Sequence, residues 1–259
     1  MKINDLIIKE AKQPAILETR EQIENWLTKR GKRIGGKWKI NKDLTVEVEG
    51  DVNLSQMKIT RIPVKFKWVA GKMIVRESSL ETLEGCPEEV GLWFDCSYTK
   101  IKNLVGGPKY LNCLNREHND TYYATNNENL VSLEGVAESA KTLNIGFNKR
   151  LTELDYLPID VRRITCPASG LITLKGIEKK AKHLEHLQVN ANPIDASILG
   201  LFKIPSFRIQ SLIYRTESNE TTPLAKAGNI LDQIANEGGD ILDAQSALID
   251  AGLERFAKL

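Results

Sequence analysis

A pair of aliphatic residues three positions apart recurs along this 259-residue chain and constrains its fold more than any other feature. Offsets of 21, 21, 29, 21 and 20 residues separate the six pairs Ile59/Ile62, Leu80/Leu83, Ile101/Leu104, Leu130/Leu133, Leu151/Leu154 and Leu171/Leu174. In repeat architectures with periods of about 20 to 50 residues, no single unit can bury its apolar face alone. The pattern therefore predicts a stack of coils that share one core.

Each coil also carries an alternating apolar stretch, which is typical of one face of a short strand. These stretches are Val52/Leu54, Met73/Val75, Phe94/Cys96, Leu143/Ile145, Ile164/Cys166 and Leu187/Val189. Before most of the aliphatic pairs, a small polar residue can satisfy backbone groups where the chain leaves the strand. These residues are Ser78, Thr99, Asn127, Asn148, Ser169 and Asn192. Glycine and proline after the pairs predict turns onto a return path.

Two segments, 164–171 and 187–194, resemble the L-x-L-x-x-N-x-L signature of leucine-rich repeats, and the period resembles the short bacterial subclass. The resemblance implies an α/β repeat fold, a leucine-rich-repeat solenoid of short parallel strands with about seven coils over 44–204. We expect 1–43 to hold an N-terminal peptide and a capping helix within an α/β cap. A linker and a C-terminal helical cap are expected over 205–259, with Pro223 opening one helix and Asp240 capping the last.

Composition limits the possible functions. Because 36 basic residues face 34 acidic ones, the chain is not a uniformly basic nucleic-acid coat. Its four cysteines form no C-x-x-C pair, which favours reduced thiols and a cytoplasmic location. His183 and His186 lie three residues apart, but no carboxylate or cysteine is placed to complete a metal site, and a solvated basic face explains them better. We expect no catalytic residues, cofactor or metal.

The wider sequence is similar to leucine-rich-repeat proteins encoded by large tailed bacteriophages. The segments that carry this similarity are 44–54, 62–66, 80–90, 94–97 and 244–253. Two departures are that Tyr156 replaces a turn glycine and Ala137 a proline. The resemblance implies a phage origin and a location in the host cytoplasm, but it implies no activity. Secreted bacterial ubiquitin ligases also combine similar repeats with a helical domain, but they need a catalytic cysteine there. No cysteine follows Cys166 in this chain.

The N-terminal segment contains Ile8, Glu10 and Ala11 in an order similar to the cleavage site of capsid-targeting peptides in internal head proteins of such phages. This resemblance implies removal of residues 1–10 and packaging of the mature chain in the phage head. The alternative is a short amphipathic helix that packs on the N-terminal cap.

Protein binding is the expected function, because a stacked array presents a wide, rigid surface. The partner is expected to be a bacterial host factor or a virion component. Alternation along the strands predicts binding residues on the concave strand face, namely Arg76, Glu77, Asp95, Tyr98, Asn144, Phe147, Gln188 and Asn190. An insertion over 112–129 adds Arg116, His118, Tyr122 and Tyr123, either as interface residues or as part of a tolerated surface loop.

A basic stretch over 29–42 suggests an alternative function, nucleic-acid binding. Its candidate contacts are Lys29, Arg30, Lys32, Arg33, Lys37, Trp38 and Lys39. Clustered cations with a stacking aromatic are typical of such sites, although solvated lysines around an inward-facing aromatic give the same pattern.

Overall fold

The computed structural model describes residues 16–111, 120–194, 198–204 and 222–258. Over these ranges the chain forms a β-solenoid of stacked coils with several helices. Its strands are β1 (Trp38–Ile40), β2 (Val46–Val48), β3 (Val52–Asn53), β4 (Phe66–Val69), β5 (Met73–Ile74), β6 (Glu89–Val90), β7 (Phe94–Asp95), β8 (Tyr110–Leu111), β9 (Thr121–Tyr123), β10 (Thr142–Asn144), β11 (Arg163–Thr165) and β12 (His186–Gln188). The helices are α1 (Arg20–Arg30), α2 (Ile177–Lys180), α3 (Pro223–Asn236) and α4 (Ile241–Asp250), with 3₁₀ turns at Gly31–Arg33, Leu199–Lys203 and Glu254–Phe256.

Two sheets run along the stack. The larger is parallel throughout and has seven strands in the order β3-β5-β7-β9-β10-β11-β12. The smaller has five strands in the order β1-β2-β4-β6-β8, with only β1 antiparallel to its neighbour. Alternation in the sequence predicted strands of the larger sheet. In the smaller sheet, the alternation of Ile40, Leu44, Val46 and Val48 predicts strands where β1 and β2 lie, but β4, β6 and β8 were not predicted.

The strands of the larger sheet pair in a register that aligns one buried residue from every coil. This core row consists of Val52, Met73, Phe94, Tyr122, Leu143, Ile164 and Leu187. A second buried row two residues later contains Val75, Cys96, Ala124, Ile145, Cys166 and Val189, all fully buried. The predicted stacking of alternating apolar residues is confirmed, and apolar burial between coils is the main stabilising contribution.

A ladder of buried polar side chains joins successive coils where the chain leaves each strand. Asn127 Oδ1 accepts from the Thr99 backbone N–H at 2.7 Å, and Asn148 Oδ1 accepts from the Asn127 N–H at 2.8 Å. The Asn148 N–H in turn donates to Ser169 Oγ at 3.1 Å. Asn148 Nδ2 also donates to the carbonyl oxygens of Ala124 and Ile145. The polar residues before the aliphatic pairs therefore satisfy backbone groups, as predicted.

Helices lie towards both ends of the chain, and side chains cap their first turns. Thr19 and Gln22 form the capping box of α1, which places Ile23 and Leu27 in the same buried cluster as the coils. Thr222 caps α3, and Asp240 caps α4. Within the described ranges, no helix combines the length and apolar character that crossing a membrane requires.

The turn after five of the six aliphatic pairs has a left-handed backbone conformation. Gly85, Gly106, Gly135 and Gly176 supply it in four coils, with φ between 78° and 95°. Tyr156 stands at the equivalent position with φ of 58° and a mostly exposed side chain. A non-glycine residue is strained there because its Cβ crowds the backbone.

Replacing Tyr156 with glycine should therefore raise the free energy of unfolding by about 0.5–1 kcal/mol, as relief of strain exceeds the extra entropy of the unfolded chain. The reverse change, Gly176→Ala, should lower it by about 1 kcal/mol through strain alone, since no atom lies within 4 Å of the added Cβ. Urea denaturation measures both changes. A loss of stability in Tyr156→Gly would show that the tyrosine side chain is itself structural.

Candidate interaction surface

The outward surface of the larger sheet, called the strand face here, brings most of the predicted binding residues together. Its central row contains one residue from each coil, namely Asn53, Ile74, Asp95, Tyr123, Asn144, Thr165 and Gln188. Neighbouring strands lie about 4.8 Å apart, so side chains of adjacent coils are in contact range. Asn144, Gln188 and Asn190 are half-buried on this surface, and Gln188 Nε2 donates to Asn190 Oδ1 at 3.0 Å.

The third residue after each strand of the larger sheet adopts a left-handed conformation in all seven coils, and none of the seven is glycine. This left-handed row is Gln56, Glu77, Tyr98, Asn126, Phe147, Ala168 and Ala191, with φ between 48° and 62°. Three residues that alternation assigned to the strands, Glu77, Tyr98 and Phe147, belong to this row. Their side chains are exposed at the margin of the strand face because the turn directs them away from the core.

The charged residues of the first coils form a connected network. Gln56 Nε2 donates to Glu77 Oε2 at 2.8 Å, and Arg76 Nε donates to Glu77 Oε1 at 3.1 Å. The hydrogen bond from Gln56, followed by the charge of Arg76, lowers the pKa of the Glu77 carboxyl. The Arg76 guanidinium also lies 5.6 Å from the centroid of the Tyr98 ring. These contacts hold Arg76 over the strand face with its charge partly neutralised.

Asp95 is almost completely covered, so its predicted role as an exposed contact is wrong. Its Oδ1 accepts from the Ser97 backbone N–H at 2.9 Å, and its Oδ2 lies 3.8 Å from Arg76 Nη1. The carboxylate therefore stabilises the turn after β7 and positions Arg76.

A second cluster crosses the strand face beside this network. Lys72 Nζ lies 3.7 Å from Asp51 Oδ2 and 5.4 Å from the centroid of the Trp93 ring. Trp93 in turn meets Tyr123 edge to face, with centroids 5.6 Å apart. Both aromatic side chains are half-buried. Tyr123 thus lies on the strand face, as a residue of β9 rather than of a loop.

Tyr122 does not lie on the surface, and its predicted role as an interface residue is wrong. Its side chain is 0% exposed and contacts Phe94, with ring centroids 5.0 Å apart. Burial raises the pKa of its phenol. Asn127 is also part of the regular coil, so the predicted loop is shorter than 112–129. Arg116 and His118 fall outside the described residues, as do Ile8, Glu10 and Ala11.

The residues of the basic segment 29–42 have different surroundings in the structure. Lys29, Lys32 and Lys37 are exposed, whereas Trp38 packs partly against the core and Lys39 Nζ lies 4.0 Å from Glu47 Oε2. Two further cations make fixed contacts. The Arg30 guanidinium lies over the Trp26 ring at 4.6 Å, and Arg33 Nη1 donates to the carbonyl oxygens of Asn53 and Ser55 at 3.3 and 2.9 Å.

The described cysteines and His183 have structural surroundings. Burial raises the pKa of the Cys166 thiol to about 12 and raises that of Cys96, so both thiols are protonated at neutral pH and pack in the second core row. Burial also raises the pKa of Cys86. His183 Nε2 lies 3.7 Å from Asp160 Oδ1. Across the described part of the chain, histidines, cysteines and carboxylates form no group able to hold a metal.

No protein-family model, curated protein or solved structure matches this chain. The candidate surface therefore rests on its own geometry. Sequence reasoning missed the left-handed row, because glutamine, glutamate, tyrosine, phenylalanine and alanine carry no signal for that conformation. Only Asn126 does. Tyr98 and Phe147 each lie four residues after a residue of the core row, Phe94 and Leu143 respectively, and this regular spacing could have revealed the left-handed row once the strands were aligned.

Proposed function

We propose that this protein is a non-enzymatic scaffold of the leucine-rich-repeat type that binds another protein through its strand face. The helices at its two ends act as caps in this proposal, because a solenoid without caps exposes its end coils. The partner is a bacterial host factor or a virion component, met in the host cytoplasm or in the phage head. These assignments of partner and location rest on the sequence resemblance.

The exposed aromatic side chains in the left-handed row carry the proposal. Tyr98 and Phe147 are 48% and 49% exposed, although glycine would fit their backbone conformation with less strain. Retaining a large aromatic residue there costs about 1 kcal/mol in stability. A binding role accounts for this cost, because rigid aromatic side chains dominate the free energy of protein interfaces.

The geometry of the row suits an extended or helical segment of a partner. Tyr98 and Phe147 are two coils apart, so about 10 Å separates their backbone positions, with the smaller Asn126 between them. Arg76, Trp93 and Tyr123 extend the same surface with mixed polar and aromatic character. Aromatic and arginine side chains flanked by polar groups are typical of protein interfaces.

Glycine substitutions separate binding from folding. Phe147→Gly and Tyr98→Gly should each weaken partner binding at least fivefold while leaving the free energy of unfolding unchanged or raising it by about 0.5–1 kcal/mol. The free energy of unfolding should rise less in Tyr98→Gly, because this variant loses the contact between the Tyr98 ring and Arg76. Ala168→Gly is the matched control, since it relieves the same strain at φ of 48° but removes only a methyl group.

Affinity capture from phage-infected bacteria, quantified by mass spectrometry, measures the effect. A partner should be enriched by the wild-type protein and the Ala168→Gly control and lost from the double variant Tyr98→Gly/Phe147→Gly. Equal capture of the partner by all forms would show that the strand face is not the binding surface.

A further inference from the structure

A pocket at the end of α1 gathers four cations from two distant parts of the sequence. The cavity has a volume of about 410 Å³ and is lined by Lys29, Arg30, Arg33, Met57, Lys58 and Ile59. Lys58 belongs to the first coil, 25 residues after Arg33. The pocket is an open surface groove with a lining that is more polar than apolar, so a bound group would remain partly exposed to solvent.

The cations of this pocket have no neutralising carboxylate among the described residues. None of the four cations forms an ion pair with a carboxylate in the described ranges, and no acidic residue lines the cavity. A larger cavity of about 750 Å³ beside the five-stranded sheet contrasts with it. There, Arg61 pairs with Glu84, and Lys109 Nζ lies 3.2 Å from Glu88 Oε1. Of these two cavities, only the smaller one has all of its cations without a carboxylate partner among the described residues.

Two of the cations are held in place before any ligand binds. Arg30 stacks on Trp26, and its Nε atom is buried without a hydrogen-bond partner in the described structure. Arg33 is anchored through Nη1 to the carbonyl oxygens of Asn53 and Ser55. A buried donor without a partner is costly unless a ligand satisfies it.

The dipole of α1 does not explain the whole cluster. Lys29 and Arg30 lie in the last turn of the helix, where its partial negative charge attracts cations. Arg33 follows the helix, and Lys58 comes from the coil packed beside it. The approach of these two additional cations raises the electrostatic repulsion in the pocket, and a bound anion would relieve it.

We propose that this pocket binds a phosphate group. Guanidinium groups match the oxygens of a tetrahedral anion through paired hydrogen bonds, and the two lysines add flexible point charges. The site is compact rather than a stripe, because Lys32 and Lys37 do not line it and Lys39 is close to Glu47. It takes the phosphate of a small molecule or of a nucleic-acid chain, and it is separate from the protein-binding function of the strand face.

Calorimetric titration of the full chain with inorganic pyrophosphate at low salt tests the proposal. Wild-type protein should bind with a dissociation constant below about 1 mM. The double variant Lys29→Gln/Lys58→Gln should weaken binding at least tenfold. Lys32→Gln/Lys37→Gln removes the same charge from the same region outside the pocket and should change binding less than twofold. Thermal unfolding of each variant shows that the fold is retained.

Arg30→Lys adds a test of geometry, because it keeps the charge and removes the buried Nε donor. Binding at least threefold weaker is expected. Titration of the same variants with a short single-stranded oligonucleotide distinguishes the two sources of the phosphate group. If Lys29→Gln/Lys58→Gln selectively weakens oligonucleotide binding, the phosphate belongs to a nucleic acid. If the wild-type protein does not bind the oligonucleotide, the phosphate belongs to a small molecule. Absence of pyrophosphate binding, or equal weakening by both double variants, would overturn the proposal.

Discussion

Replacing Tyr122 with alanine should lower the free energy of unfolding by about 3–5 kcal/mol, the range found for truncation of a fully buried aromatic residue. The side chain belongs to the core row, between Phe94 and Leu143. Its removal leaves a cavity that the paired strands on both sides prevent from collapsing. Chemical denaturation measures the change.

Two variants control for this effect. Tyr123→Ala, on the next residue but on the strand face, should cost about 1 kcal/mol or less, because the side chain is half-buried and makes one edge contact with Trp93. Tyr122→Phe should be close to neutral, since the buried Tyr122 hydroxyl interacts only with the Cys96 thiol, a weak hydrogen-bond partner, and makes no hydrogen bond of good geometry among the described residues. Equal losses in Tyr122→Ala and Tyr123→Ala would contradict the register of β9.

Asn148→Ala should lower the free energy of unfolding by a similar amount, about 3–5 kcal/mol. The substitution removes three side-chain hydrogen bonds and leaves the Asn127 N–H and the carbonyl oxygens of Ala124 and Ile145 buried without this partner. Each unsatisfied buried group costs about 1–3 kcal/mol, and relaxation of neighbouring coils recovers part of the loss.

Asn144→Ala is the matched control in the same coil. Asn144 lies half-buried on the strand face, so its truncation should change stability by less than about 0.5 kcal/mol. Thermal and urea unfolding of the two variants should therefore differ clearly. A small loss in Asn148→Ala would mean that the polar ladder is not a major source of stability between coils.

Sequence alone predicted the repeat because burial leaves a periodic trace. The aliphatic pairs and the six alternating stretches mark positions that face the core, and all the residues of those stretches are buried, whereas Ile59 of the first aliphatic pair is only partly buried. Asn148 and its equivalents were predictable for the same reason, since each coil repeats the same backbone requirement.

Other features left no local signal. Tyr122 was assigned to the surface because a tyrosine in a polar stretch is typical of a loop, and the 28-residue step from Phe94 to Tyr122 hid its equivalence. The phosphate pocket was missed because Lys58 is distant from the basic segment and meets it only when the first coil packs beside α1. Tertiary packing, not periodicity, brings such residues together.

A crystal structure of the full chain is the most direct test of the stacked-coil account. The account predicts Val75, Cys96, Ala124, Ile145, Cys166 and Val189 in one continuous buried row, with successive strands about 4.8 Å apart and β9 paired between β7 and β10. A globule in which these side chains do not align, or in which 121–123 lies outside the sheet, would contradict it.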